Sequence, residues 1–81
     1  MGAVFLSSKH AVKSVVKQLK PGYKYIVEYG AGNGNITREI LKKIPASGRV
    51  VAIELNKPLF KKLSEIKDKR LLALNKDVIK V

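Results

Sequence analysis

Apolar residues alternate along the chain between a helical and an extended rhythm. Val12, Val15, Val16 and Leu19 stand at i, i+3, i+4 and i+7, which predicts one buried face of a helix. Ser7 and Ser8 ahead of them are N-cap residue types, and Pro21-Gly22 behind them stops a helix. Tyr25-Ile26-Val27-Glu28-Tyr29 is short, apolar and β-favouring, which predicts a buried strand. Ile36, Ile40, Leu41 and Ile44 restore the helical period until Pro45 to Gly48 break it. Val50-Val51-Ala52-Ile53 predicts a second strand. Pro58 suits the first turn of a further helix whose stripe is Leu59, Phe60, Leu63 and Ile66. Leu71-Leu72-Ala73-Leu74 predicts a third strand, although Leu and Ala also suit helices; Asn75-Lys76-Asp77 closes it and Val78 to Val81 form a stub.

Strands alternating with helices predict βαβ units and a parallel sheet. With right-handed crossovers the three strands lie in the order 3-2-1. The expected architecture is α/β, a three-layer half-Rossmann arrangement with an N-terminal helix and two crossover helices. At 81 residues the chain is one domain, residues 1–81, with no internal repeat or linker.

The chemistry concentrates where the first strand meets the second helix, in Gly30-Ala31-Gly32-Asn33-Gly34. Glycine permits positive φ and close approach of a ligand to the backbone, and a helix N-terminus offers unpaired N–H groups. Such a loop builds a cofactor crevice at the carboxyl ends of parallel strands. A dinucleotide fingerprint would be G-x-G-x-x-G. Here the spacing is G-x-G-x-G, and Glu28 stands two residues ahead, where its charge would repel a pyrophosphate and suit a ligand carrying a cation. Glu54 ends the second strand, 20 residues beyond Gly34, where a carboxylate can accept both ribose hydroxyls. Asp77 follows the third strand, so three of the chain's six acids fall at successive strand ends. The structural alternatives are a tight turn for the glycines, a partner of loop amides for Glu28, a solvated strand end for Glu54 and a turn or cap for Asp77.

Glu28 to Gly34 resembles motif I of the class I S-adenosylmethionine-dependent methyltransferases, E/D-x-G-x-G-x-G. Val51-Ala52-Ile53-Glu54-Leu55-Asn56 resembles the second motif of that family, and Lys76-Asp77-Val78 the third. Within it, the loop and the Glu54 segment are similar to the phospholipid N-methyltransferases and to the rRNA adenine dimethyltransferases. Leu6-Ser7-Ser8-Lys9-His10 leans slightly toward the first group. The resemblance implies S-adenosylmethionine as cofactor and an amine-type nitrogen, of a phospholipid head group or of adenine in RNA, as methyl acceptor. It implies that Glu28 holds the methionine end, directly or through water, and that Gly30, Gly32 and Gly34 lie against the methionine and ribose portions. It further implies that Glu54 accepts the ribose hydroxyls, Asp77 accepts from the adenine amino group, and the Val78 N–H reaches a ring nitrogen. The family continues to further strands, the first often ending in an N/D-P-P-Y/F tetrapeptide that this chain lacks. The expectation is therefore a truncated cofactor-binding domain whose catalytic residues are not identified.

Truncation predicts a bare edge on the strand Tyr25 to Tyr29, and hence a homo-oligomer, most simply a two-fold dimer through that edge. Charge adds a second partner class. Seventeen Lys and Arg against six Asp and Glu give +11, a field that attracts RNA or an anionic lipid surface. Fourteen of the cations are Lys, which favours unspecific attraction over base reading. Lys9, Lys13, Lys17 and Lys20 form a basic stripe, read first as the solvated face of an amphipathic helix and second as a phosphate or lipid contact. Tyr23, Tyr25 and Tyr29 cluster on the first strand and are read as core or interface packing. His10 is the single histidine, cysteine is absent, and no ligand spacing suggests a metal. Lack of cysteine fits a cytoplasmic location, with a membrane-peripheral one as variant, and neither a signal peptide nor a membrane span is expected. The rivals to a methyltransferase half are a cofactor-binding or assembly fragment without catalysis and a basic nucleic-acid-binding module. A nicotinamide dehydrogenase would want the longer glycine spacing and no Glu28.

Overall fold

A computed structural model of the chain describes residues 2–7 and 23–24 by their backbone and residues 25–77 in full. Its elements are β1 (Gly2–Ser7), β2 (Tyr23–Tyr29), α1 (Asn35–Lys43), β3 (Arg49–Ile53), α2 (Lys57–Leu63) and β4 (Leu71–Leu74). The four strands form one sheet in the order β1-β2-β3-β4, every neighbouring pair parallel. The three expected strands are β2, β3 and β4, in the expected order, joined by the two expected crossover helices. The fold is the α/β half-Rossmann arrangement.

The sheet differs from expectation by one strand. Gly2 to Ser7 pairs along β2, in register from Ala3↔Tyr25 to Ser7↔Tyr29. Ser7 accordingly ends a strand. The edge of β2 expected to be bare is filled within the chain, so its ladder groups are not open to a second copy. The sequence signal was the short β-favouring run Val4-Phe5-Leu6. The expected helix around Val12 to Leu19, Ser8, His10, the lysine stripe and Val78 lie outside the described residues.

One face of the sheet carries the core. Ile26, Val50 and Ala52 alternate onto that face and are fully buried. Ile26 and Val50 pack with Ile36, Ile40, Leu41 and Ile44 of α1 and its end. Ala52 packs with Ala31 and Leu63, and Ile66 and Leu71 touch both groups. The helix α2 is shorter than its stripe suggested. Its N-cap is Asn56, whose side chain accepts from Leu59 N–H at 2.9 Å, and Ser64 is its C-cap. Leu63 alone on it is buried; Ile66 packs from the turn beyond, and Leu59 is exposed.

Arg70 ties the ends of these elements together. It donates to the Ile44 carbonyl at 3.1 Å, where α1 ends, and its guanidinium meets Asp68 at 2.7 and 3.0 Å. The side-chain hydrogen bond from Arg70 holds the Asp68 carboxyl down to about 2, and Asp68 in turn raises Arg70. No helix among the described residues is long and apolar enough to cross a membrane.

Candidate functional site

Parallel pairing in register brings the strand ends together. Tyr29 pairs with Ile53 and Ile53 with Leu74, so the residues that follow each strand share one rim. These are the loop Gly30 to Gly34, Glu54, and Asn75 to Asp77.

The loop turns on three glycines with φ of +68°, +60° and +95° at Gly30, Gly32 and Gly34, and among the described residues no other residue has positive φ. That conformation strains any residue with a Cβ. The three glycines differ in what surrounds them. A Cβ at Gly30 or Gly32 would meet nothing within 4 Å, whereas one at Gly34 would lie 2.6 Å from Ile66 Cδ1. Gly34 is therefore packed on the core, and Gly30 and Gly32 leave an open cradle above the rim.

The loop is fastened to the neighbouring strand. Ala31 N–H donates to the Ile53 carbonyl at 3.0 Å, and Gly32 N–H donates to Glu54 Oε1 at 2.6 Å. The second oxygen of Glu54 accepts from Asn56 N–H at 2.9 Å. Asn75 reaches back from β4 and donates to the Glu54 and Leu55 carbonyls at 2.8 and 3.2 Å. Glu54 is half-buried, and each carboxylate oxygen retains acceptor capacity beyond the amide it already takes. It is thus fixed in place at the foot of the cradle.

Glu28 and Asp77 take different positions. Glu28 is fully buried and accepts a hydrogen bond of 2.5 Å from Thr37 Oγ1, on the first turn of α1. It therefore lies beneath the loop and joins the strand before it to the helix after it. Asp77 is exposed and accepts from Tyr29 Oη at 2.6 Å. Four of the expected residues, Gly30, Gly32, Glu54 and Asp77, are brought to the open rim. Gly34 and Glu28 support it from below.

Three contributors stand outside the expected site residues. Thr37 emerges only through its contact with Glu28, Asn75 only through its bonds to the Glu54 and Leu55 carbonyls, and Tyr29, read from the sequence as packing, through its bond to Asp77. Their signal is position: each stands in a motif or within two or three residues of one and carries a side-chain hydrogen-bonding group. Among the described residues no group of three or more metal-ligating side chains comes together.

A family model described as ribosomal RNA adenine dimethylase matches residues 1–81. The chain is similar to the ribosomal RNA small subunit methyltransferase A of Mycoplasmopsis synoviae, 32% identical over 100% of the chain and 30% of that protein. The protein of the same description from Thermotoga neapolitana is 40% identical over 80% of the chain and 24% of its own length. That from Pelagibacter ubique is 31% identical over 100% of the chain and 30% of its own. The chain thus spans under a third of the length of the relatives it matches. No solved structure matches it. Of the two groups the motifs resembled, these matches select the RNA adenine group, against the slight lean that Leu6 to His10 gave toward the phospholipid enzymes.

Proposed function

The chain belongs to the ribosomal RNA adenine dimethylase family, and on that premise we propose that it holds S-adenosylmethionine for methylation of an adenine nitrogen in ribosomal RNA. One observation carries the reading: the Gly32 N–H and the Glu54 carboxylate, from two adjacent strand ends, meet at 2.6 Å beside the open space into which a Cβ at Gly30 or Gly32 would project. The donor set fits the cofactor. Glu54 offers acceptors for a pair of ribose hydroxyls, Asp77 an acceptor for an exocyclic amine, and Gly30 and Gly32 let backbone come close. When bound, the cofactor supplies an electrophilic methyl on sulfonium. The chain's own work is to bind and orient: Glu28 and Thr37 set the pitch of the loop against α1, and Asn75 holds the Glu54 backbone. Alignment of this kind can provide up to about 7–11 kcal/mol of barrier reduction in ideal cases.

The test is calorimetric titration with S-adenosylhomocysteine, with NAD as control ligand. Saturable binding is expected for the wild type and none for NAD. Glu54→Gln keeps an acceptor for Gly32 N–H but gives up carboxylate capacity toward hydroxyls, and it should weaken binding about 10-fold or more, matching roughly 1.4 kcal/mol or above. Equal affinity in wild type and Glu54→Gln, or binding of NAD in place of the homocysteine ligand, would refute the assignment.

A further inference from the structure

A second recess lies away from the rim. It has a volume of about 300 Å³ and is lined by Arg38, Leu41 and Lys42 from α1 and by Ile66, Lys67, Asp68 and Arg70 from the segment between α2 and β4. Arg38, Leu41 and Lys42 are at i, i+3 and i+4 and so share one helix face. Arg70 immediately precedes β4, at the end of the sheet opposite the glycine loop, and Ile66 carries the floor of the recess up to the underside of Gly34, so the recess lies beneath the loop and not on its open rim. Leu41 is buried and Ile66 half-buried, giving the recess an apolar floor beneath charged walls.

The charges in the recess do not balance. Its one lining carboxylate, Asp68, is engaged by Arg70 at 2.7 Å. Lys42 pairs with Glu39 at 2.8 Å, through a side chain that is 70% exposed, so that pair is weak and screened. Arg38 and Lys67 are exposed and make no salt bridge among the described residues. Three cations thus remain available around one concave surface, with the fourth fixed behind them by Asp68.

We propose that this recess is a phosphodiester-binding site that takes the backbone of RNA, with Arg38, Lys42 and Lys67 as its phosphate contacts. The concave shape suits a strand passing between the helix and the loop. The exposed large apolar side chains among the described residues, Tyr25, Leu55, Leu59 and Leu72, all lie outside its lining, so it lacks the apolar wedge with which a basic surface enters a lipid bilayer. The choice of RNA rests on the family reading above, but the site is independent of the cofactor rim. Two separate anchoring points would let the RNA be held by its backbone here while the cofactor is held at the rim.

The experiment measures affinity for a fluorescein-labelled single-stranded RNA of mixed sequence by anisotropy across a salt series. The triple variant Arg38→Ala/Lys42→Ala/Lys67→Ala is compared with Lys57→Ala/Lys61→Ala/Lys62→Ala, which removes the same charge from α2. Loss of three phosphate contacts lowers the slope of log affinity against log salt by about 2, or roughly 100-fold in affinity near 0.1 M salt. The α2 variant should keep a slope close to wild type. Equal loss in both triples would mean only the overall charge matters and would overturn the site. So would an unchanged slope in the recess variant, or loss of its binding to phosphatidylserine vesicles with RNA affinity intact. Circular dichroism checks that each variant folds, and the charge-keeping Arg38→Lys variant should retain the wild-type slope. Titration with S-adenosylhomocysteine in the same variants separates the two readings, because the recess variant should bind it as wild type does.

Discussion

Gly32→Ala and Gly34→Ala place the same methyl at two glycines of one loop, and they should act through different physics. Both positions have positive φ, +60° and +95°. An alanine there costs about 1–2 kcal/mol, and the reduced freedom of the unfolded chain offsets roughly 0.4–1 kcal/mol of that. Up to this point the two variants are alike. At Gly34 the new Cβ also lies 2.6 Å from Ile66 Cδ1 and 3.2 Å from Leu63 Cδ1. Leu63 is fully buried and Ile66 packs against both core groups, so neither can withdraw freely. Overpacking of this kind costs about 1–3 kcal/mol more. For a domain of this size, about 4–8 °C of Tm corresponds to each kcal/mol. Gly34→Ala should therefore melt at least roughly 4 °C below Gly32→Ala in thermal unfolding followed by circular dichroism. The order reverses for the ligand. The Gly32 methyl projects into the open cradle, so Gly32→Ala should lose about 10-fold or more in affinity for S-adenosylhomocysteine, roughly 1.4 kcal/mol, while remaining the more stable of the two. Equal melting temperatures would refute the packing role given to Gly34. Undiminished affinity in Gly32→Ala would refute the cradle.

Thr37→Val keeps the volume of the side chain but removes the hydroxyl that Glu28 accepts from, and should destabilise by about 1.5–3 kcal/mol in urea unfolding, with Thr37→Ser recovering most of it; a neutral Thr37→Val would mean the bond does not support the loop. The Asp68 carboxyl lies at about 2 in the folded chain against 3.8 ordinarily, because Arg70 donates to it. Its contribution to stability is complete above the ordinary value and is lost as pH falls from there through about 2, since the unfolded chain binds the proton first. Stability measured between pH 2 and 5 should therefore fall more steeply in wild type than in Asp68→Asn, and parallel profiles would contradict the pairing.

Much of the molecule follows from local sequence. The i, i+4, i+5, i+8 pattern of Ile36, Ile40, Leu41 and Ile44, the β-favouring runs at Tyr25 to Tyr29 and Val50 to Ile53, and breakers at Pro45 and Gly48 each act over a few residues and need no distant partner. Glycines at every second position after a strand, with Glu54 at the next strand's end, likewise fixed where the rim lies, because parallel pairing puts consecutive strand ends side by side. Other features depend on contacts between residues far apart in the chain. Gly2 to Ser7 is a strand only because β2 offers a free ladder, and that partner lies some twenty residues away. Glu28 reads as a ligand-facing acid from its motif position, yet the alternation of the strand turns it onto the core face, where Thr37 of α1 receives it. Gly34 cannot be told from Gly30 and Gly32 by spacing; the placement of Ile66 against the loop distinguishes them. The recess between α1 and the segment before β4 joins Arg38 and Lys42 to Lys67, and the sequence shows those only as scattered cations. Local propensity decided the elements and the order of their ends. Packing between α1, α2 and the sheet decided which charges became buried supports, which stayed on the open rim, and which converged elsewhere on the surface.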